Sequence, residues 1–275
     1  LIWLLRDIDL LGTLLRAANL AFEALLLGGI AYLLAVARPA HASARVESFC
    51  FRGIRWAAAS LIASELVTVI LSSAALLGDS DLHLRDLISA RFFVAALSAA
   101  LLAMLLWFCA RCKTTAPMIL VGLLLLVATV STSHAAARMD HRLLLALATA
   151  LHHVGTATWI GAMPFLLISL ACAETVEEAR DMTRRYSQMA LLSVVVLVLA
   201  GIYMAWFFVG AWNGLYGTSY GLLLLAKIYL LLVVLLMGSG NWLLVRRLDT
   251  DPQPLLARLR RFAEAEIGLG FTVIL

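Results

Sequence analysis

Long apolar runs separated by short polar or charged segments set the pattern of this chain. A helix needs about 20 apolar residues to cross a bilayer core of about 30 Å. The first such run covers about Leu10 to Val36, carries Arg16, Asn19 and Glu23 in its opening half, and stops at Arg38-Pro39. His41 to Arg55 reads as a polar connector, and a second run from about Ile54 to Leu77 holds Glu65 near its middle. Gly78-Asp79-Ser80-Asp81 is a turn cluster. A third run covers about Leu87 to Ala110, and a fourth opens at Pro117, which suits a first helical turn, and ends near Ser133-His134. The fifth runs from about Leu143 to Cys172, the sixth from Tyr186 to Val209 and the seventh from Tyr220 to Val245. Glu174 to Arg185 reads as a charged loop, and Gly210 to Gly221 as an uncharged connector rich in glycine and aromatic residues.

The last apolar run, Phe262 to Leu275, is too short to span and reads as the opening of an eighth helix. The pattern therefore predicts an all-α, polytopic transmembrane bundle of about eight helices, the last one truncated. It divides into an N-terminal three-helix part, residues 1–115, and a second part, residues 116–275, that contains the histidine-bearing fifth helix.

Composition agrees. The chain is 63% hydrophobic and 14% charged, with a mean hydropathy of +0.98, against about 45–50% and about 25% in ordinary globular domains. The net charge of +4 raises nucleic acid as a partner, but the basic residues flank the apolar runs, as the loops of a membrane protein require, and no nucleic-acid partner is expected. Connections after odd-numbered runs hold fourteen Lys and Arg and the opposite side six. The odd connections are accordingly expected on the cytoplasmic side and the N-terminus outside. The four cysteines form no disulfide framework, and Cys109 and Cys112, a C-x-x-C at the end of a run, read as helix-end residues. No cleavage site follows the first run, so no signal peptide is expected.

Candidate chemistry gathers between Ser133 and Phe165, which hold His134, His141, His152 and His153, four of the six histidines. A titratable, metal-binding side chain at membrane depth is costly and therefore a functional candidate. His152 lies roughly 13–15 Å inside the fifth helix. His152, Thr156, Trp159 and Met163 recur at spacings of four, three and four, along one face. His153 is turned away by about 100°, so the two imidazoles cannot chelate one ion and each needs partners from another helix. Imidazole suits copper, zinc and iron, while the methionine thioether selects Cu(I). His134, Met139 and His141 at the outer mouth, then His152 and His153, then Met163, make a candidate metal relay. The alternative is that one histidine bonds a neighbouring carbonyl and the other is structural. Glu23 and Lys227 both fall in outer halves, which suggests a pair between the first and seventh helices.

At these residues the chain resembles the CopD family of copper-resistance membrane proteins, which takes in the YcnJ-type copper importers. SHAAA closes the fourth helix, and LHHVGTATWIGAMPFLL resembles the family's pattern of His followed by Trp-x-Gly. RRYSQMALLSVVVLVLAGIYMA resembles the opening of its C-terminal domain. Gly217, Thr218, Tyr220, Gly221, Lys227 and Asn241 match its G-T-x-Y-G, Lys and Asn landmarks, and LRRFAEAEIGLG places its Glu at Glu266. The likeness is closest from Thr129 onward, which makes residues 116–275 the CopD-like part. It implies an eight-helix protein of the bacterial inner membrane that moves copper, as Cu(I) or Cu(II), inward from the periplasm. It also implies a separate periplasmic CopC-like copper protein as partner. By position, His134 and His152 inherit the family's histidines and His153 has no counterpart.

Other classes fit less well. A b-type cytochrome needs two axial ligands, and no second run offers a mid-depth histidine. A copper-binding assembly factor for a copper enzyme shares every feature above. An enzyme is not expected: the chain has no H-E-x-x-H and no nucleophile pattern beside the histidines.

Overall fold

The computed structural model describes residues 10–79, 91–133, 140–210 and 212–246. Helix α1 (Leu10–Tyr32) runs into a widened π-helical turn, Leu33–Ala37. It is followed by α2 (Ala44–Asp79), α3 (Arg91–Cys112) and α4 (Thr115–Ser131). Helix α5 (Arg142–Thr156) passes through a second π-helical turn, Ala157–Gly161, into α6 (Met163–Cys172), so that these form one span. Helix α7 (Val176–Val209), the short α8 (Trp212–Gly217) and α9 (Ser219–Arg246) complete the described chain.

Six of these stretches are long and apolar enough to cross a membrane. Helix α4, with 17 residues, stands at the lower limit of about 17. Leu143, Trp206 and Leu236 are each more than 70% exposed, on faces that only lipid would solvate without penalty. The chain is an all-α, multi-pass membrane protein, as its hydropathy pattern predicts. The expected eighth helix at 262–275 lies outside the described residues.

Two expected polar loops are helix instead, and the expected connector at 210–221 holds the short α8. Residues 44–55 form the first turns of α2, whose 36 residues reach about 54 Å, well beyond the bilayer core. Charge there is no obstacle, because helix backbone bonds are satisfied internally and the side chains find local partners. Arg52 lies over the Phe49 ring at 4.0 Å, and Glu47 accepts from Arg38 at 3.0 Å. Residues 176–185 likewise open α7. Thr175 caps it by accepting from the Glu178 amide at 3.1 Å. The Glu178 carboxylate in turn accepts from the Glu174 amide at 2.8 Å and the Ser43 amide at 2.7 Å.

These contacts gather the connections after the first, third and fifth spans at one end of the bundle, since Arg38 also donates to the Thr115 hydroxyl at 3.2 Å. Deeper in, the Tyr32 hydroxyl donates to the Met182 sulfur at 3.6 Å, with the rings of Phe165 and Tyr186 at 6.3 and 6.5 Å. Gly29 and Gly53 leave the space the Phe165 ring fills. Farther along α1, Gly28 lies against the backbone of Ala157 and Gly161, and Gly161 against the Ala24 carbonyl. Main chain touches main chain here, the close approach that small residues permit between membrane helices. This contact fixes α1 against the π-helical turn, one to two helical turns from the histidine pair.

Candidate metal centre

Helix α5 and helix α7 run side by side in opposite directions, and four contacts mark their register. Thr158 and Ser193 share a hydroxyl hydrogen bond of 2.7 Å. Gly155 packs on Leu197 and the Ser193 carbonyl. The Nδ1–Cε1 edge of His152 faces Gly201, about 4 Å from where a Cβ would stand. Next along, the Thr149 hydroxyl stands 3.5 Å from the Met204 sulfur. Each rung recedes three residues on α5 and advances three or four on α7. At the open end His141, in a left-handed conformation (φ 52°) just before α5, sets its ring 5.0 Å from Phe207.

A cavity of about 600 Å³ opens between α1, α5, α7 and α9. Its walls are mostly apolar, and its polar groups are few: Glu23, His152, His153, Thr156, Tyr220 and Lys227, with the Met204 thioether. An apolar chamber with a handful of convergent polar groups is the usual form of a small-ligand site. Both histidines are half-buried, yet they have different surroundings. Nδ1 of His152 is fully buried and makes no aligned hydrogen bond among the described residues, although the imidazole interacts with the backbone of Leu197 on α7. Nδ1 of His153 lies 3.5 Å from a carboxylate oxygen of Glu23 on α1, a residue only 4% exposed. That oxygen makes no hydrogen bond among the described residues, so the contact is electrostatic rather than an aligned bond. The expected partner of Glu23 was Lys227. Lys227 borders the same cavity, but the group that stands beside Glu23 is His153.

The face expected to run from His152 to Met163 divides at the π-helical turn. His152, Thr156 and Trp159 border the cavity, whereas Met163, 3% exposed, packs in the apolar core. A π-helical turn takes up an extra residue, so positions beyond it are rotated relative to an unbroken helix. The turn carries its own satisfaction: Pro164 has no N–H to offer the Trp159 carbonyl, which instead accepts from the buried Tyr186 hydroxyl at 2.7 Å. His134 and Met139 lie outside the described residues, as do His83, Glu264 and Glu266. His141 is exposed, immediately before α5. Among the described residues no three His, Cys, Asp or Glu side chains converge on one point. The cysteines are free, with Cys50 and Cys172 buried and Cys112 exposed.

Sequence reasoning passed over Met204, which sits in an apolar run without any local signal. It was found only through the register of α5 on α7.

Comparison with known proteins follows the same lines. Residues 180–275 match the family model described as CopD, Copper resistance protein D. The Copper transport protein CutJ of Bacillus subtilis (strain 168) is 29% identical over 165 residues, 58% of this chain and 29% of that protein. The chain thus spans under a third of the length of the curated relative it matches. No solved structure matches.

Proposed function

We propose that this multi-pass membrane protein, whose C-terminal third is a CopD-family region, carries copper ions from the periplasmic side inward across the bacterial inner membrane. The observation that supports this most directly is His152, an imidazole on the wall of a cavity inside the bundle whose buried Nδ1 makes no aligned hydrogen bond among the described residues. A neutral imidazole nitrogen without an aligned hydrogen bond is a ready donor to a metal ion and an expensive group to leave idle at membrane depth.

Copper is the cargo in this reading. His134, Met139 and His141 receive it at the outer mouth, and His152 holds it in the cavity, with His153 as its neighbour. Met163 would take it up beyond the π-helical turn. The outward N-terminus and the cytoplasmic placement of the odd connections follow from the distribution of Lys and Arg. A separate CopC-like protein would deliver the ion.

Reconstitution tests the proposal. Proteoliposomes containing the wild-type chain should accumulate Cu(I), and His152→Ala should abolish accumulation. Copper content of the purified protein should fall in His134→Ala and in the His152→Ala/His153→Ala double variant. Copper retained in all variants would sink the assignment. Binding without uptake would instead support an assembly factor that hands copper to another enzyme.

A further inference from the structure

We infer that Met204 and His152 together form a two-donor site for a soft monovalent cation, Cu(I) or its surrogate Ag(I). This rests on the copper reading above and adds a ligand, a helix and an oxidation state to it.

The register of α5 on α7 places the two side chains on neighbouring rungs. His152 faces Gly201, and Thr149, one turn back, faces Met204. Three residues of helix correspond to about 4.5 Å along the axis, a separation one ion can bridge between a nitrogen and a sulfur. Gly201, lacking a Cβ, lets the Nδ1–Cε1 edge of the imidazole lie close against α7. Both side chains border the same cavity.

The sulfur is held but not used up. Thr149 has one hydroxyl proton, and its shorter contact, 2.8 Å, is with the Leu145 carbonyl. The 3.5 Å contact with Met204 therefore fixes the thioether without engaging its lone pairs strongly. On the imidazole, Nδ1 is buried and makes no aligned hydrogen bond among the described residues. An imidazole and a thioether thus stand in the wall of one chamber, one borderline and one soft.

Charge selects among the ions. Thioether and imidazole together favour Cu(I) over the hard and borderline dications. Lys227 borders the same cavity, and its repulsion of a dication is twice that of a monovalent ion at equal distance. Glu23 is the carboxylate of the chamber, but it stands against His153 and so is turned to a different imidazole. The site offers no thiolate and no second carboxylate among the lining residues to offset a double charge.

The test uses the purified full chain in detergent, with Cu(I), Ag(I) and Zn(II) measured in competition with a chromogenic chelator. Met204→Leu keeps the volume and removes the donor, and Met118→Leu, in the α4 core, controls for loss of a methionine as such. Loss of a ligand should cost more than the tenfold or so that loss of an outer-shell partner costs. We expect Met204→Leu to lower Cu(I) and Ag(I) affinity by at least that factor and to leave Zn(II) binding and thermal stability unchanged. Met118→Leu should bind like wild type. X-ray absorption of Cu(I)-loaded protein should show a sulfur neighbour that Met204→Leu lacks. Wild-type copper binding with no sulfur neighbour, or with affinity unchanged in Met204→Leu, overturns the site while leaving the copper reading intact. Absence of any Cu(I) or Ag(I) binding by the wild type overturns both.

Discussion

Glu23 of α1 and His153 of α5 face each other across 3.5 Å, inside the bundle and on separate spans. The pair explains why the second of two adjacent histidines is present: it is tied to the first helix, while its neighbour faces the cavity. Since Glu23 is buried, the variants should separate on stability. We expect Glu23→Ala to lose about 1–3 kcal/mol and Glu23→Gln less, measured as detergent melting curves. A double-mutant cycle with His153→Ala should show coupling of about 0.5–3 kcal/mol. Strict additivity would show that the contact contributes nothing.

Main-chain contact between α1 and the π-helical turn leaves no room for a methyl group at Gly28 or Gly161. Overpacking of this kind costs about 1–3 kcal/mol. Both Cβ atoms would meet backbone, and Gly161→Ala should be the worse of the two because its Cβ would come closer, against the Ala24 carbonyl. Because the same contact positions Glu23, both variants should also weaken the coupling to His153. Gly217→Ala, where nothing lies within 4 Å, should be neutral.

Tyr186 is the sole hydroxyl donor described at the Trp159 carbonyl. Tyr186→Phe keeps the ring packed beside Tyr32 and removes the hydroxyl that makes that bond. Leaving a buried acceptor unsatisfied costs about 1–3 kcal/mol. Thermal unfolding should register the loss, and hydrogen exchange should rise first around residues 157–164. Wild-type exchange in that segment would show that the turn holds without the bond.

Membrane orientation can be read from one cysteine. Cys112 is exposed at the end of α3, on the same side as Arg38, Thr115 and Glu178, while Cys50 and Cys172 are buried. A membrane-impermeant maleimide should label Cys112 in inverted vesicles and not in intact spheroplasts. A Cys112→Ser variant identifies the labelled site. The opposite pattern would reverse the assigned topology.

The spans were legible in the sequence because the bilayer imposes a length on apolar runs, and Leu10–Val36 or Tyr220–Val245 meet it plainly. Their ends were less so. Ala44–Arg55 and Val176–Arg185 are polar, and polarity marks the end of the membrane rather than the end of a helix. The Thr175-x-x-Glu178 signature of a helix start was present in the second of these and outweighed by its charge. At the site, the 100° step between His152 and His153 already required separate partners. Which partners could not be read, because Glu23 and Gly201 reach the pair through helix neighbours that Gly28, Gly155 and Gly161 select. Met163 was read on the same face as His152 because the sequence offers no local mark of the π-helical turn that rotates it, except Pro164.

That turn makes the fifth span two half-helices with a phase offset. Its first half addresses the chamber and its second half addresses the packed core, although they share one axis. Removing a single residue between Ala157 and Gly161 would bring the halves into one continuous phase. Either His152 would swing away from Gly201 or Phe165 would leave its niche between Gly29 and Gly53. One inserted residue therefore lets a single membrane crossing serve two different audiences, and its length is as strict a requirement as any side chain on it.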